Sequence, residues 1–181
     1  MLPAVAVAGI LIALTAQSVL AVSFAISGTP FTVTASSLKG QGFEQLTVLD
    51  HSVINDLPGN NNQIVLEDDA IRSATISNLC LSVSVAGVNM IITAGGGGAP
   101  ATGSELQVDA NRLSGNAYFS HINIGQDAST VTEVPGVTGP AGGFAMQADT
   151  VSINHLREHA YATTAGTFGL PGFGLHFGGS C

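Results

Sequence analysis

The sequence predicts an all-β domain carried behind an N-terminal transmembrane helix. Three observations predict it. From Phe31 onward, short stretches alternate apolar and polar residues, the period of a half-buried strand. Gly, Pro and Asn clusters that set turn dihedrals punctuate those stretches. Beyond residue 25, no stretch keeps the 3.6-residue period of an amphipathic helix. The expected division is a transmembrane anchor or uncleaved signal segment over 1–25, then one extracytoplasmic β domain over 26–181. That domain is antiparallel or repetitive: a sandwich, a curved sheet or a β-solenoid.

The segment Leu2–Ala25 carries no charge, and its polar side chains are Thr15, Gln17, Ser18 and Ser23. About 24 helical residues reach about 36 Å, enough to cross a hydrocarbon core of about 30 Å. Val19-Leu20-Ala21 and Ser23-Phe24-Ala25 place small residues where signal peptidase cuts. Against an ordinary export signal, no Lys or Arg precedes Lys39, and the apolar run exceeds the usual 7–15 or so residues. A retained anchor is the favoured expectation; a cleaved signal, or a start upstream of Met1, is the alternative. Gly9 and Ala13 stand four apart, as do Ala4 and Ala8, a spacing that lets two helices approach closely.

The totals narrow the function. Charged residues make up 9% of the chain, against a usual quarter or so. Such a surface suits packing against copies of itself, a partner or lipid, and equally an ordinary Ser/Thr/Asn/Gly exterior. Twelve acids against four bases give a net charge of −8. Lys39, Arg72, Arg112 and Arg157 are scattered along the chain, so nucleic acid is excluded as a partner. In an exported chain, Cys80 and Cys181 are most simply a disulfide that clips the C-terminus to the body. A loop of about 100 residues would gain roughly 4–5 kcal/mol. Free or intermolecular thiols are the alternative.

The strands are expected in this order. Phe31 to Ala35 alternates after the Gly28-Thr29-Pro30 turn, and Leu46 to Leu49 follows. Asn55 to Asn62 is a loop. Gln63 to Leu66, Ser73 to Val88 and Met90 to Thr93 resume the alternation, and the glycine-rich Ala94 to Ser104 is a loop. Leu106 to Ala110 and Ala117 to Ile124 are strands, Gly125 to Gly143 a long loop. Val151 to Ile153, Ala160 to Thr164 and Thr167 to Leu170 close the set. The Gly/Phe/Leu tail from Gly169 fits a strand lying close against another backbone.

Four hexapeptides echo one another: Val33–Leu38, Ala74–Leu79, Val108–Leu113 and Val151–Leu156. Each runs small-apolar, polar, small-apolar, two polar residues, then Leu. The first and third residues share a strand face, and the Leu follows a bend. The alternative is chance matching between strands.

Three stretches resemble a known family: Ser23-Phe-Ala-Ile-Ser-Gly-Thr-Pro-Phe31, His121-Ile-Asn-Ile-Gly-Gln-Asp-Ala-Ser-Thr130 and Ala162-Thr-Thr-Ala-Gly-Thr-Phe-Gly-Leu-Pro-Gly172. They are similar to a group of exported actinobacterial proteins of unknown function that often carry an automatic "cholesterol esterase" label. The resemblance runs from about residue 20 to the C-terminus. It implies an actinobacterial cell-envelope protein with a small multi-spanning membrane protein as partner. It brings no catalytic residues.

The chemistry that the label implies is not legible. An α/β-hydrolase needs Gly-x-Ser-x-Gly on a strand-to-helix elbow, and no such pentapeptide occurs. Asp50 and His51 with a distant serine are not singled out by anything around them. His155-Leu-Arg-Glu158-His159 spells a reversed zinc-peptidase signature, which needs a helix to turn both imidazoles one way. Glu67-Asp68-Asp69 reads as a solvated turn, without EF-hand spacing. Gln126-Asp127 reads as turn material.

No catalytic, cofactor-binding or metal residue is assigned. The expected function is a non-enzymatic, membrane-anchored, self-associating structural protein of the bacterial cell envelope. Its β domain lies outside the cytoplasm, and its partners are further copies and membrane lipid. The alternative is a lipid-binding protein with an apolar groove lined or plugged by Phe173, Leu175 and Phe177. An ester hydrolase ranks below both.

Overall fold

The computed structural model describes residues 28–51 and 63–181. Nine strands and one 3-10 turn, Ala128–Thr130, are formed among them. The strands are β1 (Phe31–His51), β2 (Gln63–Ser77), β3 (Leu79–Val85), β4 (Val88–Ala94), β5 (Ala101–Ser120), β6 (Asn123–Asp127), β7 (Phe144–Thr164), β8 (Thr167–Gly169) and β9 (Gly174–Phe177). The expected anchor over 1–25 and the Asn55–Asn62 loop lie outside the described residues. No described helix is long and apolar enough to cross a membrane.

All pairings are antiparallel within one sheet, ordered β6-β7-β5-β2-β1-β3-β4-β9, with β8 on β5. The all-β, antiparallel expectation holds. The solenoid alternative does not, because stacked coils pair in parallel. β7 also pairs with β1, through Phe31↔Ala160 to Ala35↔Leu156. The four long strands therefore close a circuit, β1–β2–β5–β7–β1. One hydrophobic core fills it, including Phe43, Ile71, Leu106 and Ile153. A smaller cluster forms where Ala128 and Val131 cover Leu46.

β1 and β7 span 21 residues each and β5 spans 20, against the usual 3–10 or so. Strands this long bend to wrap a core, and the repeated hexapeptide supplies bends. In all four copies the first, third and sixth residues are buried, except that Leu113 is half-buried. In a flat strand the sixth would face the other way. One extra residue corrects the parity. Asn78 and His155 adopt left-handed backbone at φ 52° and 55°, and the β5–β7 register skips Asn111. At Asn111 and His155 this is a bulge, and at Asn78 a break between β2 and β3; each turns the chain and returns Leu to the core. The bends of the first two copies also dock together, with Asn78 Nδ2 donating to Ser36 Oγ at 2.9 Å.

Several boundaries differ from expectation. Ser73–Val88 is not one strand: it breaks at Asn78 and reverses at Ala86-Gly87, where both residues take positive φ in a tight hairpin turn. The glycine loop shrinks to Gly95–Pro100, because β5 starts at Ala101. Ala117–Ile124 is interrupted at His121-Ile122.

β1 runs unbroken through Gly40-Gln41-Gly42, a stretch read as a gap between strands. Gly42 sits at φ 65°, and a Cβ there would lie 2.5 Å from the Glu133 carbonyl oxygen. The glycine lets the loop before β7 lie against β1. Gly42→Ala combines left-handed strain with a backbone clash, at a cost of about 2–4 kcal/mol. The expected result is a lower urea midpoint with an unchanged slope.

Candidate functional site

Beyond the closed circuit, β3, β4 and β9 project as a three-stranded wing. Paired residues share a face, so the register defines what the wing displays. Val85 lies beside Val88; Val83 beside Met90 and Phe177; Leu81 beside Ile92 and Leu175. That face is apolar throughout. Leu81 still packs on the core, but Val85, Val88, Leu175 and Phe177 each leave half or more of their surface exposed. The opposite face carries Ser82, Ser84 and Asn89. No Asp, Glu, Lys or Arg occurs from Ser73 to Ser104 or after Glu158, so all three strands are uncharged. β9 ends the sheet order, which leaves its outer edge open among the described residues.

The Cys80–Cys181 disulfide holds this wing together. The two Cα atoms are 5.7 Å apart, bridging a sequence separation of 101 residues. Cys80 lies on β3, and Cys181 follows β9, so the bond ties the tail back across the wing. Asn89 Nδ2 donates to the Gly179 carbonyl at 2.7 Å and Gly178 N to the Asn89 carbonyl at 2.8 Å. The expected pairing is thus formed.

The tail does not plug an interior groove. Phe173, Leu175 and Phe177 are exposed on the wing, because pairing with β4 places β9 outside the circuit. The cavity inside the core holds only about 50 Å³, against about 300–1,000 Å³ for an ordinary ligand site. A larger recess of about 520 Å³ opens where the wing meets the body, lined by Phe31, Leu81, Val83, Val85, Met90 and Tyr161 among others.

The second unusual feature is a set of buried carboxyls. On one side of the sheet, Asp68 pairs directly with Asp109. Burial pushes Asp68 up to about 6, helped by repulsion from Asp50. Burial, then repulsion from Asp68 and Asp50, pushes Asp109 up to about 7. Burial raises Asp50 as well. Glu44 Oε1 accepts a hydrogen bond from Val134 N at 2.7 Å, which fastens the loop before β7. Burial outweighs that bond and lifts its carboxyl to about 7.

On the core side, Asp69 Oδ1 accepts from Gln45 Nε2 at 2.7 Å, while Oδ2 has no partner. Burial, then Glu158, holds Asp69 well above the usual carboxylate range. Burial takes Glu158 to about 7. Both line the small core cavity with Thr163, whose hydroxyl also lacks a partner. Burial of this kind favours the protonated, neutral form of both carboxyls. A solvated turn at Glu67–Asp69 is therefore incorrect: the acids sit mid-strand, held by Gln45 across the ladder.

The family described as "Family of unknown function (DUF6230)" matches residues 27–181. The chain belongs to this family. Neither the comparison with curated proteins nor that with solved structures returns a match. The match begins just after the apolar N-terminal segment and covers the whole described DUF6230 domain, wing and disulfide included.

The motifs weighed for chemistry are dispersed on the DUF6230 fold. His155, Glu158 and His159 lie on a strand, not a helix. Glu158 is buried against the core, His155 is exposed at a bulge, and His159 lines an outer groove that Glu158 also borders. Asp50 is buried beside an exposed His51. Asp127 caps the 3-10 turn, accepting from Ser129 N and Gly142 N at 2.9 Å each. Those bonds hold its carboxyl below the usual range. A pair that sequence reading missed is His121 Nδ1 with Asp149 Oδ2 at 2.7 Å. Their side chains are 83% and 52% exposed. They lack the dry surroundings in which such a pair drives proton transfer. Among the described residues, no cluster of His, Cys, Asp and Glu fits a metal ion.

Proposed function

We propose that this protein is a non-enzymatic, membrane-anchored component of a bacterial cell envelope that associates with copies of itself through the wing. The observation that carries the reading is the uncharged apolar face of β3–β4–β9 with its open edge. Acids outnumber bases twelve to four and none of either falls on β3, β4 or β9, so the acidic bodies repel, yet the wings carry no Asp, Glu, Lys or Arg and can meet. Burial of apolar surface drives such contact, and an open edge strand can pair with a second edge. Phe31 begins β1, six residues beyond the apolar N-terminal segment, and lines the recess at the base of the wing. An anchor there would hold neighbouring wings at one height above a membrane and raise their effective concentration. The disulfide fits an oxidising compartment outside the cytoplasm. A small multi-spanning membrane protein remains a candidate neighbour, and the family resemblance points to an actinobacterial source.

The test is light scattering on the full chain after size exclusion in mild detergent. An oligomer is expected, and Val88→Asp with Phe177→Asp should reduce it to a monomer. A monomer from the unmodified chain would overturn the reading.

A second reading, lipid binding, is favoured by the recess lined by Phe31, Val83, Met90 and Tyr161. Its volume of about 520 Å³ suits part of an acyl chain. Native mass spectrometry of membrane-purified protein should then show co-purified lipid. Bare protein in every preparation would reject it.

A further inference from the structure

Two of the four cationic side chains converge on one outer face of the sheet. Arg112 on β5 lies opposite His159 on β7, and Arg157 on β7 opposite Ser114 on β5. On the other flank of β7, Thr32 of β1 pairs with His159. These residues line an open groove of about 450 Å³. The two arginines occupy diagonal positions, which places their Cβ atoms roughly 7–8 Å apart. That is within the screening length of about 8 Å at physiological salt. Neither has a counter-charge: the ion pair found among the described residues is His121 with Asp149. Glu158, between Arg157 and His159 in sequence, also borders the groove, but it is 5% exposed and lines the core cavity as well. In a chain with three acids for every base, two adjacent guanidinium groups with no carboxylate in ion-pair contact form an arrangement that an anion would stabilise.

We propose that this groove binds a phosphoryl oxyanion, presented as the headgroup of a membrane phospholipid. Each guanidinium offers a planar fork matched to two oxygens. Two forks and the Thr32 hydroxyl supply more donors than a carboxylate can accept, and suit a phosphoryl group. The groove is also held in shape. His159 Nδ1 lies 2.8 Å from Asn111 Oδ1, and its ring meets Tyr161 edge-on at 5.8 Å between centroids. Tyr161 in turn lines the apolar recess at the base of the wing. A cationic groove and an apolar recess thus adjoin through one side chain, the layout that an amphiphile with an anionic head requires. The proposal rests on the groove and does not depend on self-association.

The experiment titrates the full chain, in neutral detergent, with dihexanoyl phosphatidylglycerol, with glycerol phosphate and with inorganic phosphate, followed by calorimetry. The short-chain lipid is expected to bind at least tenfold more tightly than the other two. R112Q/R157Q should lose at least tenfold of that affinity, and R112K/R157K part of it, since lysine keeps the charge but not the fork. K39Q/R72Q changes net charge equally, is remote from the groove, and should stay within twofold. Equal affinity for lipid and free phosphate, still lost in R112Q/R157Q, would keep the phosphoryl site and overturn the lipid source. No binding, or equal loss in the two Gln double variants, would overturn the site. Thermal unfolding of each variant checks the fold; if R112Q/R157Q does not fold, the R112K/R157K result decides.

Discussion

Raising the pH from 5 to 8 is expected to lower the thermal midpoint of the domain by roughly 6–12 °C. The cause is the set of carboxyls that the fold lifts to about 6 or 7: Glu44, Asp68, Asp109 and Glu158. A carboxyl with a raised native pKa holds its proton longer in the folded than in the unfolded state. As pH climbs past the ordinary carboxyl range, the unfolded chain ionises first, so stability falls until the native pKa is passed. The window runs from about 4 to about 7, and the curve flattens above it. Glu158 alone, moved from 4.5 to about 7, would contribute on the order of 3 kcal/mol. At about 2–4 °C per kcal/mol for a domain of this size, that gives the stated shift. The other raised groups act in the same direction, with coupling that prevents simple addition. Glu158→Gln should leave the midpoint at pH 5 nearly unchanged, raise it at pH 8 and flatten the slope. It should also relieve Asp69, whose second cause of elevation is Glu158. A midpoint that does not change with pH, or a Glu158→Gln protein weakened equally at both pH values, would contradict this account.

Replacing both cysteines with serine is expected to cost on the order of 4 kcal/mol, a fall of about 8–16 °C in the midpoint. The bond closes a separation of 101 residues, and a constraint of that length removes much freedom from the unfolded chain. It also acts locally. β9 holds to β4 by four paired residues, Gly174 to Phe177, too few to stay docked unaided beside an open edge. Limited proteolysis should therefore cut the Cys80→Ser/Cys181→Ser protein first between Leu170 and Cys181, leaving the circuit intact. A change below about 2 °C, or cleavage spread evenly over the domain, would argue against it.

The core was more legible than the strands that carry it. The four hexapeptides mark twelve inward positions, because a bulged strand has its own period of two residues and then three. The disulfide was legible because only two cysteines exist. The lengths of β1 and β2 were not. Gly40-Gln41-Gly42 and Glu67-Asp68-Asp69 are poor strand formers, and ladder partners decide their state: Gly42 sits under the Glu133 carbonyl, and Asp69 faces Gln45. Local reading therefore placed a gap in one and a turn in the other. The wing was hidden for a related reason. Leu81, Val83, Met90 and Ile92 alternate like any core strand, and only the pairing order shows that they belong to a wing whose outer residues, Val85, Val88, Leu175 and Phe177, are left exposed. The Arg112–Arg157 groove was invisible in sequence, since the two residues meet only through the β5–β7 register.

The closed circuit sets the order in which the chain can fold. The first strand pairs with the last long one, Phe31 with Ala160, and β2 and β5 lie between them. Contacts of such separation carry a large loop-closure penalty before they return any stabilisation, so this topology folds slowly for its size. A chain that emerges from a ribosome or a translocation channel from its N-terminus has β1 in hand long before β7 arrives. Throughout that interval, one flank of β1 from Phe31 to Ala35 lacks its partner, and the apolar interior is open to other chains. Crowding of incomplete chains at one exit site during that interval is where misassembly would begin.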